Sequence, residues 1–323
     1  MMNRHAEIID WIRADLQRVE ETLRTLPMVE FEVVEEAIGH LLDSGGKRIR
    51  PTLTLLASQL YPADPNRAIS LAAAVEMLHT ATLVHDDLID GSLLRRGSPT
   101  LNASWTPGAT ILVGDYLFAR AADLAAQTDN VRVMQVFAHT LMTIVTGELS
   151  QLFQSGSRVM REAYERRIYA KTASMFELAT EAAGVLIEAP EDQITVLRDF
   201  GRDLGMAFQI VDDVLDFTGA PSEVGKPVGN DLSHGIVTLP TLYYLDEHPE
   251  DARIETVLKD GRRDEQQVRD LVESVCRSKA IGAALAEARE YVRRSQRALN
   301  YLPECRARQS MWDIAEYVFT RTS

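Results

Sequence analysis

Residues 71–90 carry apolar side chains nearly all the way round a helical wheel: Leu71, Val75, Met77, Leu78, Leu83, Val84, Leu88 and Ile89. A helix that is apolar on every side belongs in the middle of a globular protein. Its last turn nevertheless reads His85-Asp86-Asp87-Leu-Ile-Asp90, followed by Gly91. Asp86 and Asp90 are four apart and project from one face, with Asp87 beside them. Gly91 is a stop signal, so all three acids fall at the helix C-terminus. That end is the negative pole of the helix dipole, where carboxylates are disfavoured. Burial, clustering and the unfavourable pole together call for positive charge from outside the chain. Hard divalent cations with oxygen ligands answer that need, Mg2+ above all where phosphates complete the coordination.

One such turn is also what a solvated acidic helix end looks like. A second copy changes the reading. Gln209-Ile-Val-Asp212-Asp213-Val-Leu-Asp216 repeats the acid spacing at the end of another apolar stretch (Phe200, Leu204, Met206, Ala207, Ile210, Val211), again with a glycine, Gly219, close behind. Two core helices ending alike predict two acid clusters facing one another across a cavity.

The pattern along the chain is helical throughout. Helices are predicted over His5–Leu26, Glu30–Asp43, Pro51–Leu60, Ala68–Asp90, Thr110–Gln127, Val131–Gln154, Arg161–Ala183, Glu191–Phe217 and Val237–Asp246. From Asp251 to Arg321 come shorter, highly charged helices, whose i,i+4 charge pairs predict a solvated outer layer. No segment alternates with period two for long enough to be a strand. With no repeat and no long linker, the expectation is an all-α chain folded as one domain over residues 1–323.

Composition narrows the partners. A formal charge of −14 over 323 residues excludes a phosphate-tracking surface, and so nucleic acid. Cys276 and Cys305, both in predicted helices, lack metal-type spacing, which points to a reducing compartment. The charged, amphipathic residues 1–25 are not a signal peptide, and the uncharged stretch Gly97–Gly114 contains Pro99 and Pro107 and is not a membrane span. A soluble, cytoplasmic protein is expected.

Phosphate chemistry also needs cations from the protein. Gly45-Gly46-Lys47-Arg48-Ile49-Arg50-Pro51 places paired glycines and three basic residues at the head of a helix opened by proline. Arg95 and Arg96 follow the first acid cluster closely enough to meet a ligand there, or to pair with its aspartates. Lys171-Thr172 interrupts an otherwise apolar helix, and a lysine there requires an anionic partner. Lys226, after the second cluster, sits in a loop from which it can close over an anion.

These motifs, in this order, resemble the trans-isoprenyl diphosphate synthase family. They are G-G-K-R-x-R-P at 45–51, E-M-x-H-x-x-x-L-x-H-D-D-x-x-D at 76–90, R-R-G at 95–97, G-D-Y at 114–116, G-E-x-x-Q at 147–151, K-T at 171–172 and F-Q-I-x-D-D-x-x-D at 208–216. The resemblance implies a helical bundle of the isoprenoid synthase type around a deep central cavity, usually a homodimer. It implies Mg2+ held chiefly by Asp86, Asp90 and Asp212, with Asp87, Asp213 and Asp216 in direct or water-mediated support. Arg95, Lys171, Thr172, Gln209 and Lys226 would bind the diphosphate of an allylic substrate. Lys47, Arg50, His79 and Arg96 would bind that of isopentenyl diphosphate. The reaction implied is ionisation, condensation and proton loss, with no Ser, Cys or His nucleophile, and His85 is read as a packed or hydrogen-bonded neighbour of the cluster. Ala81, five residues before Asp86 and about 7.5 Å deeper at roughly 1.5 Å per residue, is small where short-chain members often place an aromatic. A longer product, hexaprenyl to decaprenyl, is therefore expected, unless Phe137 or Met142 closes the channel higher up.

One position departs from the pattern: Ile236, in Asp231-Leu-Ser-His-Gly-Ile236-Val-Thr-Leu-Pro240, stands where the family often has a lysine that contacts the allylic diphosphate, and His234 is a partial substitute. A short-chain (farnesyl or geranylgeranyl) synthase, a class I terpene cyclase and a metal phosphohydrolase using His40 and His85-Asp86 are the alternatives. The Gly45–Pro51 site counts against the cyclase, which binds no isopentenyl diphosphate.

Overall fold

The computed structural model describes residues 2–43, 46–95, 97–153, 161–219, 229–253 and 265–320. Gly45, Arg96, Lys226 and Arg321 lie outside the described residues. The described chain is all-α apart from one two-stranded hairpin, and it forms two compact units.

The first unit comprises Met1–Leu141, Met175–Gly201 and Ala298–Ile314. The helix expected over His5–Leu26 is two, α1 (Met2–Trp11) and α2 (Arg13–Arg24). Ile12 between them is fully buried and its neighbours keep the i→i−4 bonds, so this is a kink at a core residue rather than a stop. After α3 (Glu32–Asp43) and α4 (Ile49–Ala57) comes α5 (Pro65–Ile89), the acid-bearing core helix. Asp64 caps it by accepting from the Asn66 N–H at 2.9 Å, and Pro65 occupies its first turn, where a missing N–H costs nothing. Leu71 to Val75, Met77, Leu78 and Ala81 all have zero exposure, as a helix apolar on every side requires. It packs on α2, on α4 and most extensively on α7 (Pro107–Ala126). On length and composition alone α5 could cross a bilayer, but 72% of its most apolar window is buried in the protein.

Beyond the short α6 (Leu101–Ser104), this unit takes the start of α8 (Val131–Phe153), α10 (Ser174–Leu186) and the first half of α11 (Glu191–Thr218). They bury Phe137, Phe176 and Phe200. At Gly201 a Cβ would lie 2.4 Å from the Phe176 carbonyl oxygen, so α11 meets α10 backbone to backbone.

The second unit comprises Met142–Ser174, Arg202–Arg297 and Ala315–Ser323. It holds the end of α8, α9 (Arg161–Ile168), a π-helical turn (Tyr169–Ala173), and α11 from Arg202 onward. α12 (Asn230–Ser233), α13 (Leu239–Glu247), α14 (Glu265–Arg277), α15 (Ala280–Ala298) and the end of α16 (Arg306–Thr320) complete it. Ile168, Ile210, Val211 and Val214 share one core with Leu239, Ala284 and Ala288. Phe217 and Leu232 share another with Leu271 and Val275.

Four expectations are corrected. Arg161–Ala183 is not one α-helix, because the π turn divides it. Arg95 lies in a strand, β1 (Leu94–Arg95), paired antiparallel with β2 (Ser98–Pro99), where no strand was expected. The C-terminal helices are amphipathic rather than an outer layer, since Leu271, Val275, Ala284, Ala288 and Val292 are fully buried. Cys305 precedes α16 instead of lying in a helix.

Candidate active site

The first acid turn ends as its sequence demands. Gly91 adopts φ +62°, its N–H donates to the Leu88 carbonyl, and the Ser92 N–H donates to the Asp87 carbonyl at 2.8 Å. This glycine-terminated C-cap fixes Asp90 as the last residue of the turn. Asp86 is half-buried and Asp90 exposed, one turn apart. Asp87 is different. It is buried, and the hairpin brings Arg95 back onto it: Nε donates to both carboxylate oxygens at 3.0 Å and Nη2 to Oδ1 at 2.8 Å. Such a fork neutralises the inner carboxylate where the dipole is least favourable. Arg95 thus pairs with an aspartate of the cluster.

His85 is a packed, hydrogen-bonded neighbour, as expected. Its Nε2 lies 3.2 Å from the Ile111 carbonyl and 3.6 Å from Asp115, and its ring tilts against Phe118 at 5.2 Å. A Cβ on Gly114 would sit 2.1 Å from that nitrogen, which gives the glycine of G-D-Y a physical reason.

The basic loop divides its residues. Arg48 turns inward in a left-handed conformation (φ +46°) and is held by Glu20, by buried Glu76 at 2.8 Å and by the Leu42 carbonyl at 2.9 Å. It explains Glu76 in the α5 motif and is structural. Lys47 is exposed. Arg50 is half-buried in the first turn of α4, which begins two residues before Pro51, and its guanidinium lies 5.0 Å from the Phe176 ring centre. His79 is half-buried on α5.

In the second unit, Asp212 and Asp216 are half-buried one turn apart, and Asp213 between them is buried. Tyr164, which sequence reading missed, donates its hydroxyl to Asp213 Oδ2 at 2.7 Å; Gln209 Nε2 donates to Oδ1 at 2.8 Å. Thr172 Oγ1 in turn donates to Gln209 Oε1 at 2.7 Å. Burial pushes the Asp213 carboxyl up to about 7, aided by the Asp231 charge and opposed by Gln209 and Tyr164. Asp216 accepts from the Asp231 N–H at 3.2 Å. The only signal for Tyr164 in the sequence is its i,i+4 spacing from Ile168 on an otherwise charged helix.

Lys171 and Thr172 sit in the π turn; Lys171 Nζ lies 3.3 Å from Glu148, but its side chain is 39% exposed, so it is not the buried lysine expected of an apolar helix. Gly147 of the same G-E-x-x-Q motif admits Ala170, whose Cβ would be 2.5 Å from one placed on the glycine. Single π turns are common at functional sites.

Both acid turns therefore share a pattern: an outer pair of carboxylates one turn apart, and an inner one committed to protein donors. Among the described residues no three His, Cys, Asp or Glu side chains converge as a ready-made metal cage. Mg2+ does not need one, since it retains water and takes one or two carboxylates plus phosphate oxygens. The hard-oxygen donor set fits it. A crevice of about 470 Å³ lined by Asp15, Ser58, Tyr61 and Asp64 lies at the opposite, N-terminal end of α5 and contains none of these residues.

Residues 31–275 match the polyprenyl synthetase family. The chain is 38% identical over 312 residues to heptaprenyl diphosphate synthase component 2 of Geobacillus stearothermophilus, covering 95% of this chain and 96% of that protein. Its fold is similar to the crystal structure of a decaprenyl diphosphate synthase from Rhodobacter capsulatus, with TM-score 0.91, 36% identity and 99% of both chains covered. It is also similar to a polyprenyl synthase from Caulobacter crescentus solved with calcium and isoprenyl diphosphate, with TM-score 0.93, 34% identity and 99% and 98% covered.

Proposed function

Because this chain belongs to the polyprenyl synthetase family, we propose that it is a prenyltransferase that condenses isopentenyl diphosphate with an allylic diphosphate, giving an all-trans polyprenyl diphosphate and pyrophosphate. The single observation that carries this reading is the duplicated acid turn, in which buried Asp87 and Asp213 are held by Arg95 and by Tyr164 and Gln209, flanked by Asp86/Asp90 and Asp212/Asp216. The outer pairs hold Mg2+, which when bound neutralises the oxygens of the departing pyrophosphate. Lys171, Gln209 and Lys226 bind the allylic diphosphate, Thr172 orients Gln209, and Arg95 keeps Asp87 in place while its remaining edge meets the same anion. Lys47, Arg50, His79 and Arg96 bind isopentenyl diphosphate. Fixed cations aimed at developing negative charge supply the electrostatic stabilisation that usually dominates such catalysis. The family match runs through both units, which supports reading residues 1–323 as one synthase domain.

Incubation with isopentenyl diphosphate, an allylic diphosphate and Mg2+ should give chain elongation. Cyclisation of the allylic substrate alone, or release of bare phosphate, would overturn the assignment. Products of hexaprenyl to decaprenyl length are expected, in line with the heptaprenyl and decaprenyl synthases among the relatives and with a small residue at 81. Ala81 has zero exposure, so Ala81→Phe must displace neighbours. It should shorten the main product by at least one isoprene unit at some cost in melting temperature, read by chromatography of the products. An unchanged length would place the floor elsewhere.

The active form is a homodimer of a soluble, cytoplasmic enzyme. Along α8 the positions 131, 135, 138, 142, 145, 149 and 152 repeat at heptad spacing, and every one is exposed, including Met142, Val145, Leu149 and Leu152. An a/d-spaced apolar seam left uncovered fits a helix of a second copy. Leu149→Asp should convert the dimer to monomer in sedimentation velocity, and a dimer that persists would exclude this face.

A further inference from the structure

Tyr164 is a buried polar side chain that the reaction as described does not use. It stands on α9, one helix away from the acid turn, at 3% exposure. Its hydroxyl donates to Asp213 Oδ2 at 2.7 Å, and Asp213 itself is 3% exposed. The ring is also met by Arg167. The Arg167 guanidinium lies 5.5 Å from the ring centre and donates through Nη2 to the Val237 carbonyl at 2.7 Å. Arg167 therefore ties α9 to the segment entering α13, and Tyr164 ties α9 to the acid turn of α11.

The direction of the remaining hydrogen bonds depends on this anchor. Asp213 accepts from both of its side-chain neighbours. With Oδ2 taken by Tyr164, Oδ1 faces the Gln209 amide and receives its N–H at 2.8 Å. That leaves Gln209 Oε1 turned toward Thr172, whose hydroxyl donates to it at 2.7 Å. The amide orientation of Gln209 and the proton of Thr172 are thereby set from behind, through Asp213. Asp213 also shares a helical turn with Asp212 and Asp216, so a carboxylate clamped from a separate helix fixes the rotation at which those two neighbours are presented.

We propose that Tyr164, braced by Arg167, is a positioning residue of the second acid turn: it holds Asp213 out of direct cation binding and so sets the aim of Asp212, Asp216 and Gln209. The proposal rests on the prenyltransferase reading above, but its test does not depend on turnover alone. Tyr164→Phe keeps the ring and removes only the hydroxyl. Two measurements follow. The first is the rise in melting temperature of the wild type and the variant when MgCl2 is added with inorganic pyrophosphate as the probe. The second is steady-state elongation as a function of Mg2+ and of each substrate.

In Tyr164→Phe the Mg2+ concentration for the half-maximal thermal shift should rise about fivefold. kcat should fall about tenfold, while KM for isopentenyl diphosphate stays within twofold. A merely structural hydroxyl would lower the melting temperature of the metal-free protein without moving the Mg2+ requirement, and that result overturns the proposal. Arg167→Met retains the hydroxyl and loosens its brace, so a rise of about twofold in the same requirement is expected. If Tyr164→Phe does not fold, the Arg167 variant decides, and an unchanged Mg2+ requirement there refutes the idea. A wild type that elongates but whose Mg2+ requirement is insensitive to both changes sinks only the positioning role. A wild type that neither elongates nor responds to Mg2+ and pyrophosphate removes the prenyltransferase reading, and this role with it.

Discussion

Asp212→Ala and Asp86→Ala should each lose on the order of 10³-fold or more in kcat, the range for removing a group that stabilises developing charge. The folded state should hardly notice. Both side chains are half-buried and alanine is the better helix former; Asp86 also lies in the last turn of α5, where a carboxylate is electrostatically unfavourable. Unfolding free energy in urea without Mg2+ should therefore stay within about 1 kcal/mol of wild type, with Asp86→Ala on the stabilising side. The inner aspartates should behave in the opposite way. Asp87→Ala strands the partly buried Arg95 fork, and Asp213→Ala strands the Tyr164 hydroxyl, so both should cost stability as well as rate. Near-normal rates for Asp86→Ala or Asp212→Ala would refute their assignment as cation ligands.

Gly201→Ala should be strongly destabilising. Its Cβ would lie 2.3 Å from Thr180 Oγ1, 2.4 Å from the Phe176 carbonyl oxygen and 2.8 Å from Glu177 Cα. A side chain can rotate away from such a clash; a helix backbone cannot. Thr180 is further held by its bond to the Leu197 carbonyl at 2.6 Å. Separating α10 from α11 to admit the methyl breaks that bond and opens the core around Phe176 and Phe200. Overpacking typically costs about 1–3 kcal/mol and occasionally more, and here the upper end or beyond is expected in urea unfolding. The control is Gly108→Ala, which meets nothing within 4 Å and should be close to neutral. Equal stabilities for the two variants would mean that the helices slide apart freely.

Patterns carried by one helix were legible in the sequence. α5 is apolar on all sides and ends at a glycine, so its burial, its stop at Gly91 and the i,i+4 projection of Asp86 and Asp90 all follow from spacing. What depends on a partner from elsewhere in the chain was not. Arg48 reads like Lys47 and Arg50 in a string of cations, yet Glu20 and Glu76 turn it inward. Asp87 reads like Asp86 until a two-residue hairpin returns Arg95 to it. Tyr164 looks like any tyrosine on a charged helix, because nothing local reveals a carboxylate 49 residues away. The glycines of G-D-Y and G-E-x-x-Q have their meaning in what approaches them, His85 and Ala170, and neither approach is encoded nearby.

The π turn at Tyr169–Ala173 amounts to one extra residue threaded into an otherwise regular helix. Deleting a single residue there would let the chain rewind as ordinary α-helix with its two sides nearly in phase, whereas the same deletion within α9 or α10 would turn one side by about 100° relative to the other. Lys171 would swing off Glu148 and Thr172 off Gln209, while the hydrophobic registers of α9 and α10 stayed largely in place. Insertions and deletions in this stretch are thus a sharper genetic probe of the site than substitutions, since every residue could keep its identity and still lose its address.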